Sequence, residues 1–269
     1  MTATAPTAGH PGERSGSGLW HFLENQFLRY RASWTATIIT SLLFPVMFLI
    51  TIGFGLGSQI DDTSSLGTTD YASFVGPGVV AAVAMIQASS LSLWPTLGAI
   101  KWEGTYQAVL ATPLTATELA IGHVLWIGFR SLVGASLYLI VLAIFGLVAS
   151  PLAILAPLAA VLTAMAFAAP ISAFSATREK DDTFGAINRV LITPMFLFSG
   201  AFFPVEQLPD SVEWVARIVP VWHGVELSRG LVNGSINPSD ATIHVGYLML
   251  WIVVGLALAI RSFTTRLSS

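Results

Sequence analysis

Apolar residues run along this chain in six long blocks, at 34–56, 71–94, 119–147, 152–174, 187–203 and 244–260, with polar or charged breaks between them. A helix needs about 20 apolar residues to cross the hydrocarbon core of a bilayer, so the pattern predicts an all-α integral membrane protein of six transmembrane helices. The first block carries no charge and contains Pro45, which membrane helices tolerate because neighbours re-satisfy the freed carbonyl. The second has Gly76-Pro77-Gly78 near its start. Blocks three and four share a charge-free run, Ser131 to Thr177, broken by Ser150-Pro151, which predicts a tight helical hairpin. The domain predicted over 34–262 leaves 263–269 as a short C-terminal tail.

The segments outside the blocks differ in kind. Residues 1–17 are small, polar and rich in Gly and Pro, which predicts a disordered tail. Over 18–33, Trp20, Leu23, Phe27 and Leu28 recur at helical spacing while Glu24, Arg29 and Arg31 lie elsewhere, predicting an amphipathic interfacial helix; a simple pre-membrane turn is the other reading. Between the fifth and sixth blocks, Val212, Val215, Ile218 and Val219, then Val225, Leu227 and Leu231, predict two short helices in a re-entrant external segment, 204–243.

The loop after the second block, KWEGTYQAVLATPLTATELAIG, carries the most information. Trp102, Tyr106, Val109 and Leu110 fall at helical intervals, Pro113 stops that helix, and Thr115 with Glu118 forms a capping box that starts the next one. A short helix with an aromatic and apolar face, lying between two membrane helices, must bury that face against its own bundle, the headgroups or a partner. The pattern leaves all three open.

Composition narrows the class. With 54% hydrophobic and 10% charged residues, the apolar excess exceeds what one water-soluble globule can hide, and six spans use roughly 120 positions, leaving no second soluble domain. A net charge of −3 without a charged tail points away from nucleic acid, and the absence of cysteine excludes disulfides and thiolate metal sites. The first 33 residues hold no signal-like apolar core, so the first span is expected to act as an uncleaved anchor. Arg14, Arg29, Arg31, Lys101, Arg178, Lys180, Arg189, Arg261 and Arg266 fall on one side of the predicted topology, Arg217 and Arg229 on the other. The basic excess, like the even number of spans, sets both termini in the cytoplasm of a multi-pass protein of the inner (cell) membrane.

Candidate chemistry is sparse. The two lysines, Lys101 and Lys180, precede Trp and Asp, so no Gly-Lys-Ser/Thr end of a phosphate-binding loop exists and nucleotide is not held in that way. Arg130 lies inside the third block, either as a functional intramembrane charge or snorkelling to the inner headgroups. His123 has no second ligand at metal spacing, and no metal site is expected. His223 and His244 read as structural or interfacial, and Trp214 and Trp222 as an outer interfacial belt. Met195, Phe196, Phe198, Phe202 and Phe203 give block five an adaptable aromatic surface, with Met85 and Gln87 in block two; ordinary helix packing and a greasy substrate lining both fit.

YASFVGPGVVAAVAM in block two, KWEGTYQAVLATPLTATELAIGHVLW after it, and LITPMFLFSGAFFPVEQLP leading into VPVWHGVELSRGLVNG carry a resemblance over about residues 20–265. The chain resembles the permease subunits of the ABC-2 exporters, in the NodJ-like branch that also holds daunorubicin-exporter permeases. The resemblance implies that the loop helix is a coupling helix docking on a separate ATP-binding cassette ATPase, with Trp102, Glu103, Tyr106, Val109, Leu110, Arg178 and Lys180 at that contact. It further implies two ATPase copies carrying ATP and Mg, no cofactor on this chain, a second permease copy or paralogue, and surrounding membrane lipid. Met85, Gln87, Met195, Phe196, Phe198 and Phe202 would line the path of an amphipathic drug, antibiotic or glycolipid, and Phe203, Pro204, Trp214 and Trp222 would form the external gate. Two rival readings are a polytopic membrane enzyme acting on lipid or peptide, for which blocks one, two, four and six offer no acid, and a non-transporting scaffold for an ATPase.

Overall fold

The computed structural model describes residues 17–59, 66, 68 and 70–267. The predicted tail, except its last residue, and much of the loop at 57–70 lie outside the described residues, as do 268 and 269. All regular structure among the described residues is helical: α1 (Ser17–Phe48), α2 (Tyr71–Leu97), α3 (Thr105–Leu110), α4 (Ala116–Ile144), α5 (Ala156–Ala176), α6 (Phe184–Ile187), α7 (Thr193–Leu197), α8 (Asp210–Ile218), α9 (Pro220–Asn233) and α10 (Pro238–Leu267). Wide π-helical turns extend α1 over Leu49–Leu56 and α2 over Gly98–Trp102, and a third, Asn188–Ile192, joins α6 to α7. Each lies close to a proline, Pro45, Pro95 or Pro194. Proline lacks a donor and crowds the carbonyl four residues back, and a π turn accommodates such a fault without ending the helix.

Five helices among the described residues are long and apolar enough to cross a membrane, and burial sorts them into centre and rim. In the apolar window of each, 78% of residues are buried for α2 and 61% for α5, against 17% for the α1 region, 33% for α4 and 28% for α10. The rim exposes Leu43, Ile50, Ile140, Ile144, Leu250 and Val253, a surface that only lipid or another membrane chain can cover. α5 is rich in alanine, and small residues let helix backbones approach; a Cβ on Gly255 of α10 would come within 2.5 Å of the Pro170 ring of α5.

Three predicted elements differ from the structure, and the first is the expected tail from 263, which to Leu267 is the end of α10, with Phe263 fully buried. The expected boundary at 33/34 is no break: α1 runs unbroken from Ser17 to Phe48, about 48 Å at 1.5 Å per residue. Its first half leans on α4, with Phe27 on Phe129 at 6.1 Å and Tyr30 on Trp126 at 5.8 Å between ring centroids. The expected fifth span, 187–203, is a shorter apolar helix, Phe184–Leu197, below the length of a full crossing. Past Leu197 the apolar run continues, but the chain turns at Gly200, whose φ of 80° is a left-handed conformation that glycine adopts without a Cβ clash.

From that turn the chain dips back into the bundle. α8 ends at Ile218, whose carbonyl accepts from the Tyr247 hydroxyl on α10, and α9 then packs Val221 and Val225 against Ala81, Met85 and Phe167. α9 ends at the α4–α5 corner, where the amides of Ala149 and Ser150 donate to the Val232 carbonyl at 3.1 and 3.0 Å. The predicted re-entrant segment is thus present, with α9 buried rather than laid on a surface.

Candidate functional site

The end of the bundle that holds both the start of α1 and the end of α10 is built around the loop between α2 and α4. The π turn Gly98–Trp102 carries the chain out of α2, and Gly104, with φ of 62°, reverses it into α3. The Gln107 side chain donates to the Ile100 carbonyl at 2.7 Å and closes the turn. At the far side the predicted capping box is formed: the Glu118 amide donates to the Thr115 hydroxyl at 3.1 Å, and the Thr115 amide to the Glu118 carboxylate at 2.9 Å.

One residue of this loop is placed against expectation. Tyr106 is 4% exposed and faces the chain's own bundle, so it is not an exposed contact for a partner. Its ring packs on Phe263 of α10, and its hydroxyl lies 3.0 Å from Nδ1 of His123 on α4. Nε2 of the same imidazole lies 3.1 Å from the Thr96 hydroxyl on α2. A neutral imidazole donates through one ring nitrogen and accepts through the other, so one buried histidine satisfies both hydroxyls and ties the loop to two membrane helices. Burial, with a smaller effect of Glu103, pushes the Tyr106 phenol above its ordinary value and keeps it neutral. Sequence reasoning missed this link; three polar residues, each in an apolar setting, were its only signal.

The remaining predicted contact residues divide by exposure. Trp102 is 62% exposed, Glu103 is exposed beside it, and Val109 and Leu110 are half-buried against the cluster of Phe22, Leu119 and Phe263. Arg178, with its guanidinium 4.2 Å from the centre of the Phe174 ring, and Lys180 are exposed on the loop after α5. That loop meets the first through Glu179, whose carboxylate pairs with Lys101 and with Arg266 of α10. Lys101 first, and then Arg266, hold the Glu179 carboxyl below its ordinary value.

Between the first half of α1, the end of α2 and the α3–α4 corner lies a cleft of about 700 Å³. Arg29, Arg130 and Glu103 are its charged lining, beside Asn25, Gln26 and Trp126.

The expected substrate lining is packed shut within this chain. Met85 is fully buried, and Phe196 is 7% exposed in an aromatic cluster with Phe48 and Phe202, at 6.1 and 5.0 Å between centroids, with Met195 packed beside it. Gln87 borders a void of about 20 Å³, too small for any amphipath. Of the set only Phe198 is largely exposed, on the rim. Met85 and Phe196 are therefore core residues, because the turn at Gly200 folds Phe202 back over them.

At the opposite end, Phe203 and Pro204 are half-buried, and Trp214 is 67% exposed on α8. Trp222 stacks edge-on against His223 and His244, whose Nδ1 atoms lie 2.9 Å apart. The centre of this end is Arg229, which the sequence places only in the charge count of this side. It is 7% exposed and donates to the carbonyls of Phe74 at 3.2 Å and Gly200 at 2.5 Å and to Glu226 at 2.5 Å. Its guanidinium also lies 3.8 Å from the centre of the Phe74 ring. Among the described residues no group of three or more His, Cys, Asp or Glu side chains is arranged to hold a metal ion.

A bundle of apolar helices with a short helix bracketed by two of them at one end, and a helix turned back into it at the other, has the architecture of a multi-pass membrane protein. The ABC-2 type transporter family matches residues 17–232, and the chain belongs to that family. It is similar to nodulation protein J of Sinorhizobium fredii (strain NBRC 101917 / NGR234), 27% identical over 253 residues that cover 93% of this chain and 95% of that protein. Nodulation protein J of Rhizobium leguminosarum bv. trifolii is 28% identical over 269 residues, 99% of each chain. That of Rhizobium leguminosarum bv. viciae is 29% identical over 229 residues, covering 85% of this chain and 86% of the relative.

Proposed function

We propose that this chain is the permease subunit of an ABC exporter, moving an amphipathic drug, antibiotic or glycolipid outward with ATP hydrolysed on a separate subunit. ATP and Mg belong to that partner, two copies of which would serve two permease copies or one copy and a paralogue. The basic excess puts the loop between α2 and α4, with both termini, on the cytoplasmic side of the inner membrane. No bond of the cargo is broken, so the chain acts by having two arrangements that the partner's nucleotide cycle binds unequally.

The observation that carries this reading is the mounting of α3. Its outer side offers Gln107 and Ala108, with Trp102 and Glu103 exposed on the turn that leads into it, and its inner side is fixed through Tyr106 and His123 to α2 and α4. A push on the exposed side is thereby delivered to two membrane helices at once. The partner face is then Trp102 and Glu103 with Arg178 and Lys180, and Val109 and Leu110 stiffen the helix from behind. With the substrate lining closed inside one chain, the cargo path falls between copies, where the exposed Phe198 rim meets its partner.

The test is Trp102→Asp in vesicles that contain the permease and its ATPase. The expected result is loss of ATP-driven efflux and of transport-stimulated hydrolysis, with an unchanged melting midpoint for the isolated permease. Full activity in the variant would remove the loop from the coupling path, and cargo turnover by the permease alone would support an enzyme instead.

A further inference from the structure

The cleft of about 700 Å³ beside the α3–α4 corner has the size of a small-molecule site, and the reading of α3 as a lever gives it no role. Its lining is mixed. Leu91 and Ile127 are among its apolar lining, and Arg29, Arg130, Asn25 and Gln26 among its polar lining. Arg29, Arg130 and Glu103 all border it. Arg130 is half-buried in α4 and forms no ion pair among the described residues. A guanidinium on a membrane helix is costly to leave without a counter-charge. From Ser131 to Ile144 the helix rises about 20 Å, so in a hydrocarbon layer of about 30 Å the Arg130 backbone lies about 10 Å inside the boundary at the α3 end, a depth from which a long arginine side chain reaches toward the headgroups. Trp126, one turn earlier on the same face, stacks on Phe129 and meets Tyr30 edge-on, which fixes the wall between α1 and α4.

We propose that this cleft receives the phosphate-bearing headgroup of an amphipath from the adjoining leaflet, with Arg130 and Arg29 as its cationic contacts and Leu91 and Ile127 against the first part of the chain. The proposal rests on the exporter reading for its purpose, as the point where cargo or a resident lipid is first held, but not for its detection. A volume of this size takes a headgroup and leaves acyl chains in the bilayer. Forked guanidinium donors suit phosphate oxygens, and the low dielectric beside the apolar lining strengthens that pairing.

Native mass spectrometry of the purified chain in equimolar dioleoyl phosphatidylglycerol and dioleoyl phosphatidylcholine reads this site without nucleotide. The wild type is expected to retain phosphatidylglycerol in preference, Arg130→Lys to keep that preference, and Arg130→Gln to lose about fivefold of it. Asn25→Glu, at an exposed position on the cleft wall, is expected to weaken it similarly without touching a buried group, which covers the case in which Arg130→Gln fails to fold. Equal retention of the two lipids, or a preference untouched by the folded variants, overturns the proposal. Vesicles of phosphatidylcholine with a trace of fluorescent phosphatidylglycerol, holding permease and ATPase, separate the two sources of the headgroup. ATP-driven transfer of the labelled lipid between leaflets assigns it as cargo; selective retention without transfer assigns it as resident lipid, and both keep the site. If no cargo of any kind moves while the lipid preference stands, the exporter reading fails and the headgroup site does not.

Discussion

The two ends of the bundle are held by opposite kinds of interaction. At the α3 end the fastenings are a neutral hydrogen-bonded chain, Tyr106 to His123 to Thr96, and exposed ion pairs centred on Glu179. Each is of modest net strength, because water competes for its groups in the alternative state. At the α9 end a single buried guanidinium joins three acceptors on three chain segments and lies over an aromatic ring. Truncating such a centre leaves buried acceptors and a carboxylate with nothing to pair with, so it resists opening far more than the other end does. A machine pushed from one side needs that asymmetry: a lever that shifts at small cost, and a closure that holds until the helices carrying it have moved.

The sharpest way to break the comparison is Arg229→Ala, which strips the Gly200 and Phe74 carbonyls and Glu226 of their donor at once. A loss of about 3–5 kcal/mol is expected, from the cost of breaking a buried pair. Thermal unfolding in detergent micelles should show it as a large drop in midpoint, or as failure to recover folded protein. A midpoint close to that of the wild type would mean that the outer closure is not the firm end.

Next in size is Tyr106→Phe, which keeps the ring on Phe263 and removes only the hydroxyl. One nitrogen of the buried His123 is then left without a partner, at a cost of about 1–3 kcal/mol. Because the link joins the loop to α2 and α4, stimulated hydrolysis by the partner ATPase should fall while the chain still folds. Thr96→Val should act in the same direction from the other side of the ring. A variant that loses stability but couples normally would mark the hydrogen-bonded chain as packing alone.

Much of the α3 end was legible in the sequence; at the α9 end the two short helices were, but not the buried network that joins them to the bundle. Hydropathy located the membrane helices because burial in lipid and burial in protein both demand apolar side chains, and Thr115 with Glu118 announced the cap of α4 by local chemistry alone. Helical spacing put Tyr106 on the apolar face of the loop helix, but periodicity does not say what that face meets, and Tyr106 turned to the bundle. Trp102 falls outside α3 because Gly104 reverses the chain, and a lone glycine carries no sign of its φ. The fifth block misled for a related reason: Ala201 and Phe202 are apolar because they fold over the core, and apolar character measures burial, not helicity. Arg229 with Glu226 three residues earlier looks like any surface pair on a helix, and only the dip of α8 and α9 into the bundle makes it the centre of a buried network.

Smaller effects test how freely the lever turns. Gly104 adopts φ of 62°, and nothing lies within 4 Å of where a Cβ would sit, so Gly104→Ala meets no clash but pays about 1 kcal/mol in the left-handed region. The expected outcome is a slight fall in midpoint together with a slower coupled ATPase, and Gly104→Asn, better tolerated in that region, should recover both. An alanine variant as active as the wild type would place the hinge elsewhere, the π turn at Gly98–Trp102 being the next candidate.

The smallest effect belongs to the ion pairs of Glu179, and its sign is fixed by the carboxyl being held below its ordinary value by Lys101 and then Arg266. A depressed carboxylate adds stability that is present above its unfolded value and disappears as pH falls through the folded one. The midpoints of wild type and Glu179→Gln should therefore differ slightly at neutral pH and converge as pH falls below the ordinary carboxylate range, where the held-down Glu179 carboxylate takes up its proton. Raising salt to about 1 M, which shortens the screening length to roughly 3 Å, should close the same gap at neutral pH, since these groups are open to solvent. The drop caused by Arg229→Ala should largely survive that salt, because the guanidinium and the Phe74 and Gly200 carbonyls are buried and only the Glu226 carboxylate is partly open to solvent. If salt narrowed both gaps equally, the two ends would be held by the same kind of force, and the division into a yielding end and a fixed one would not stand.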